Sequence, residues 1–280
     1  MFLMDRFVIL LIISLLACKQ VAGHEFWIAP DYPLLASGQL QAQLKIGSDF
    51  DGSNRIYNPR QFQRFEFSDG ESWQPVPGRM GDRPAVRLPL PSSGRAVLAY
   101  QSEPEWVTWD EWSKFTGFLQ EKGAADLISL HRARGLAETD FSEKYTRYAK
   151  AVIAAPGQPL LDQPGGLEFE LLLLSVPPAS EDGQIRVRLL WQGQPASAVR
   201  IICQARAAAS QQRSQTGQLA AAVRQTVLSD GKGEASCAGQ PGTAYLIDAV
   251  RVAPLSDASD PQGSVWQSWW ASLTFFLPAR

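Results

Sequence analysis

Two histidines, His24 and His131, are all the imidazole this chain of 280 residues carries. That excludes a three-histidine zinc site, and the HExxH, P-loop and GxSxG motifs are absent as well. A hydrolase of the Ser-His-Asp kind would need one of the two as its base, and neither has a Ser or Cys nucleophile in a recognisable elbow. The expectation is a protein that is not an enzyme. His24 has one special property: if proteolysis exposes it, its α-amine and its imidazole offer two nitrogens to a single metal. A free α-amine titrates near 7.7–8.0, so a metal can displace its proton at neutral pH. Amine and imidazole nitrogens suit Ni(II), Co(II) or Cu(II). His131 or a carboxylate such as Glu25, Asp49 or Asp51 is the candidate for a further ligand. No second ligand is fixed by spacing, and a terminal histidine is also simply what a peptidase leaves behind.

Other constellations are weaker. Asp49-Phe50-Asp51-Gly52 opens like a calcium loop but lacks the later acidic positions and the closing Glu, so it reads as a turn. Once the leader is removed Met80 is the remaining methionine, which excludes a thioether-rich Cu(I) site. Trp106, Trp109 and Trp112 recur every third residue, which on a helix places them along one side, either as a sugar-stacking stripe or as a buried face. Glu143, Arg147 and Lys150 would share a helix face, as an anion site or as an ion-pair ladder.

Whether His24 is ever a terminus depends on the leader. Arg6 precedes an apolar run at 7–17, followed by Cys18 and the small residues Val21, Ala22 and Gly23. This is the order of an export signal, and an eleven-residue run falls short of the roughly 20 a membrane helix needs. Cleavage before His24 fits the small-residue end. Leu15-Leu16-Ala17-Cys18 also reads as a lipobox, which would make Cys18 a lipid-carrying first residue on an envelope lipoprotein. The expected location is the periplasm, with membrane attachment only through a lipidated Cys18. With Cys18 gone, Cys203 and Cys237 form an even pair suited to a structural disulfide in an oxidising compartment; two buried thiols are the alternative. A net charge of −2, with no dense run of Lys or Arg, argues against nucleic acid.

Nineteen prolines and 22 glycines between short β-branched and aromatic runs favour sheets joined by turns. The expectation is a mainly β protein with a small helical insertion. Residues 24–160 form an N-terminal β-rich domain with a helical segment at about 109–150. The Pro/Gly-rich stretch 154–166 is the boundary, and 166–280 form a β-sandwich with a long polar excursion at 210–222.

Five segments carry a resemblance: His24-Glu25-Phe26-Trp27-Ile28-Ala29-Pro30, residues 97–102, 118–123 and 144–151, and Trp270-Ala271-Ser272-Leu273-Thr274-Phe275. In this order over nearly the whole mature chain they resemble the exported DUF4198 family, often described as periplasmic components of nickel or cobalt uptake. The resemblance implies a protein that binds or delivers a transition metal through His24, with a metal-uptake transporter as partner. It also implies that the C-terminal sandwich is of the prealbumin or carboxypeptidase-regulatory type. Related chains often have a histidine where this one has Tyr148, so its metal site has fewer nitrogens. The competing expectation is an envelope module without metal that recognises a protein or glycan through its tryptophans.

Overall fold

The computed structural model describes residues 23–32, 38–177, 180, 182–207 and 221–279. The expected export signal with Cys18, and most of the polar excursion at 210–222, lie outside them. The first half runs β1 (Glu25–Pro30), β2 (Gln39–Ser48), β3 (Asp51–Arg55), β4 (Phe62–Ser68), β5 (Trp73–Pro75), β6 (Val86–Pro89), β7 (Arg95–Ser102) and β8 (Glu105–Trp109). Helices α1 (Trp112–Lys122) and α2 (Asp126–Ala133) follow, then the long β9 (Phe141–Ala154). The second half contributes β10 (Phe169–Ser175), β11 (Gln184–Trp191), β12 (Gln194–Pro195), β13 (Arg200–Ala207), β14 (Val223–Leu228), β15 (Glu234–Ala238), β16 (Thr243–Pro254) and β17 (Trp266–Leu277).

The protein is therefore mainly β, as expected, and its sheets stack as a sandwich. A nine-stranded sheet in the order β14-β13-β16-β17-β9-β7-β4-β5, with β8 also on β9, forms the middle layer. Side chains alternate across it. On β9, Tyr148 and Val152 join one apolar core with Phe169, Val187, Ile247 and Phe275, under the smaller sheet of β10, β11, β12 and β15. Ala149, Ala151 and Ile153 face the other way, into a core with Ile28, Leu40, Leu44 and Leu98 under the sheet of β1, β2, β3 and β6. A third, aromatic cluster of Trp109, Phe115, Phe118, Phe141 and Trp266 lies beneath the helices.

Three expectations are corrected. The helical segment ends at Ala133, because residues 141–152 form a strand. Tyr148 to Ile153 are buried without interruption, as in a strand covered on both faces, and such an apolar run carries no period that separates it from a buried helix. Glu143 and Arg147 consequently do not share a helix face with Lys150. Glu143 meets Trp109 and Ser268, Arg147 pairs with Glu105 at 2.7 Å, and Lys150 pairs with Asp162 and Glu170 at 2.8 and 2.9 Å. Trp106 and Trp109 lie on β8, where alternation exposes the first and buries the second, and only Trp112 is helical.

The stretches 24–160 and 166–280 meet inside the middle sheet. There β9 runs parallel to β17, from Trp266↔Glu143 to Phe275↔Val152. The Cys203–Cys237 disulfide joins β13 of that sheet to β15 of the smaller one.

Candidate functional site

His24 is exposed at the threshold of β1. The residue before it packs on Trp270, since a Cβ at Gly23 would lie 2.4 Å from that indole ring. Directly after it the chain plunges inward. Glu25 is buried, and its Oε1 accepts a 2.9 Å hydrogen bond from Lys122 Nζ at the C-terminal end of α1. The same ammonium donates to Asp248 Oδ1 of β16 at 3.0 Å, lies 3.8 Å from Glu121 and sits 5.4 Å from the centre of the Trp270 ring. Gln204 Nε2 reaches the other Asp248 oxygen at 3.4 Å.

Glu25 therefore belongs to a buried ion cluster. Desolvation, reinforced by Asp248, raises its pKa to about 7 against the pull of Lys122. Burial draws Lys122 down, but Asp248, Glu25 and Glu121 together outweigh it and hold the ammonium above its ordinary range. Such an arrangement anchors the first strand to α1 and β16. It leaves one Glu25 oxygen bound to a cation and the other, Oε2, buried without a partner among the described residues.

His131 is elsewhere. It is fully buried, with its ring between Trp112, Phe115, Phe141 and Trp266. Trp266 Nε1, which can only donate, gives its proton to Nδ1 at 3.0 Å. That fixes the tautomer, so Nε2 carries the proton and donates it to the Ala137 carbonyl at 2.8 Å. Both nitrogens are engaged, and neither has a lone pair to offer a metal.

Tyr148 points into the core on the face of the middle sheet opposite Trp270, and its hydroxyl donates to Glu168 at 2.8 Å. A histidine at that position would not meet His24. Asp49 and Asp51 flank the β2–β3 turn, where Asp49 and Phe50 take positive φ of 54° and 59°. Among the described residues no three His, Cys, Asp or Glu side chains group as a metal site.

Of the sequence-level ligand candidates, the structure thus leaves His24 accessible and commits Glu25 and His131 to other partners. Sequence reasoning missed Lys122, Asp248 and Gln204. A Lys in the last turn of a helix and an Asp inside the apolar run 244–250 are the signals that pointed there: a carboxylate in a central strand requires a buried partner.

Fold and site together describe a three-layer β protein entered through a histidine at the foot of its first strand. The chain belongs to the DUF4198 family, a domain of unknown function, whose model matches residues 21–253. No curated protein and no solved structure matches the chain.

Proposed function

We propose that the mature chain is an exported protein that binds a transition metal (nickel, cobalt or copper) at its processed N-terminal His24 and passes it on in metal uptake. The observation that supports this is the contrast between the two histidines. His131 is sealed in an aromatic box, whereas His24 stands in solvent just ahead of a strand that a buried ion cluster holds in place. The metal would be held by the α-amine and imidazole of one residue, which replaces the larger ligand set of His24, Glu25 and His131. Two protein donors leave the remaining coordination positions to water or to a receiving protein. A site so open exchanges its ion readily, which suits a carrier and not a store or a catalyst.

Calorimetric titration of Ni(II) and Cu(II) into protein whose first residue is His24 tests this. One ion should bind per chain, and binding should vanish when a single residue is added ahead of His24. Protein with a verified free His24 terminus that takes up no metal would end the proposal.

The second reading, a module that recognises a protein or glycan, draws on a different place. Trp191 and Trp269 meet edge to face at 4.7 Å, both partly exposed, with the Arg251 guanidinium 4.9 Å above Trp191. Trp109 and Trp266 do not contribute, because both are buried. Loss of glycan or partner retention in Trp269→Ala, with metal binding unchanged, would favour this reading.

A further inference from the structure

Lys150 is a cation in a place that interiors ordinarily refuse to charge. It stands on β9 between Tyr148 and Val152, on the core face of the middle sheet, and is 1% exposed. Two acids as deeply buried as the lysine meet its Nζ. Asp162 places Oδ1 at 2.8 Å and Oδ2 at 3.0 Å, and Glu170 of β10 places Oε1 at 2.9 Å. The Gln163 carbonyl accepts at 3.0 Å. Because both Asp162 oxygens face the amine, the carbon joining them lies at roughly the 3–3.5 Å of reactants held for attack. The buried Lys122, by contrast, meets a single oxygen each of Glu25 and Asp248.

The surroundings suit acyl transfer. The backbone N–H of Leu173 donates to Asp162 Oδ2 at 2.8 Å, and that of Gln163 donates to Oδ1 at 2.7 Å. Whichever oxygen gathers charge when a nucleophile adds at Cγ already holds a donor, which is the logic of an oxyanion hole. Burial raises the Asp162 pKa above the ordinary carboxylate value, against the pull of Lys150, and so favours the acid form that has a hydroxyl to lose. Glu170 accepts from the N–H groups of Gly165, Gly166 and Leu167, so it remains stabilised as an anion with no cation beside it. Burying two charges costs desolvation that their attraction repays only in part, and an amide between them removes both charges.

We infer that Lys150 and Asp162 condense spontaneously to an isopeptide bond, with Glu170 as the catalytic acid and base. One ammonium proton passes to the Asp162 carboxylate, and the lone pair freed on Nζ attacks Cγ. Glu170 Oε1 takes a second proton from Nζ and returns it to the departing oxygen. The Nζ–Cγ bond forms, one Cγ–Oδ bond breaks and one water leaves, with no oxidant, reductant or co-reactant. The bond ties β9 to the segment ahead of β10 across 12 residues, and it is independent of any metal at His24.

Mass spectrometry of the folded chain beginning at His24, with its disulfide reduced, tests this. The intact mass should lie one water below that of the sequence. Trypsin should fail to cut after Lys150, and residues 148–186 should appear as one peptide lighter by that water, its fragments placing the link between Lys150 and Asp162. Glu170→Gln keeps an acceptor for the backbone N–H groups and should return both the full mass and the cut, as should Asp162→Ala. The full mass in the folded parent, a cut after Lys150, or the missing water traced to another residue would each overturn the inference. These three results come from the parent chain, so they decide the matter even if a variant fails to fold. A Glu170→Gln chain that still carries the bond would remove Glu170 from the chemistry.

Discussion

Glu143 lies at the foot of β9 with no route to solvent, and it carries a pH dependence into the fold. Trp109 Nε1 donates to one of its oxygens at 2.8 Å and the Ser268 hydroxyl to the other. Burial still outweighs both bonds and raises its pKa from 4.5 to about 7. Glu25 is shifted in the same direction, to about 7. Between pH 4.5 and 7 the folded chain keeps protons that the unfolded chain has released, so stability is full below this window and falls as pH rises through it. Glu143→Gln keeps an acceptor for Trp109 and removes the titration. Denaturant unfolding should show the variant gaining on the parent by roughly 3 kcal/mol between pH 4.5 and 8, at about 1.4 kcal/mol per pKa unit. A constant gap across that range would show that Glu143 does not titrate there. Little of this was legible beforehand. The sequence marks His24, His131 and Glu25 by type, but whether an imidazole is open or boxed in depends on residues as distant as Trp266.

Among the elements, α1 shows how much of a short helix is held from outside. Its last residue precedes Gly123 in the left-handed region at φ 81°, and Arg200 Nη1 of β13 donates to the carbonyls of Gln120 and Glu121 at 2.6 and 2.9 Å. The free C-terminal carbonyls are thus satisfied by a glycine turn and by a side chain from the other half of the chain. Gly123→Ala forces a Cβ into positive φ and to 2.8 Å from the Arg200 Cβ. It should destabilise by more than about 1 kcal/mol, measured as a lower denaturation midpoint at unchanged slope. That a helical segment follows residue 109 was readable from the sequence. Residues 141–154 were not, because burial on both faces erases the alternation that a half-covered strand displays.

Across the whole molecule, the Pro/Gly stretch after β9 is pinned and does not swing as a linker. The buried Lys150 ammonium binds Asp162 at 2.8 Å and Glu170 at 2.9 Å, and Glu170 accepts from the backbone N–H groups of Gly165, Gly166 and Leu167. Lys150→Ala strands two buried carboxylates and should cost about 3–5 kcal/mol. Together with the β9–β17 seam this predicts one cooperative unfolding transition for 24–280, and no folded state for 24–160 expressed alone; two separate transitions would argue for independent halves. Reducing the Cys203–Cys237 bridge, which closes a loop of 34 residues, should lower stability by about 4 kcal/mol on the loop-entropy account. The cysteine pair and the mainly β class were visible in composition and count. The seam was not, since nothing local to β9 announces a parallel partner more than a hundred residues later.

That seam also imposes a timetable. A chain that emerges amino end first, from a ribosome or through a translocation channel, produces β9 long before its neighbour exists. Until residues 266–277 arrive, one flank of β9 offers its amides and carbonyls to any strand that comes near. Closure waits on residues 266–277, so the molecule passes its birth with an adhesive margin exposed, and loss of those twelve residues would leave it permanently in that condition.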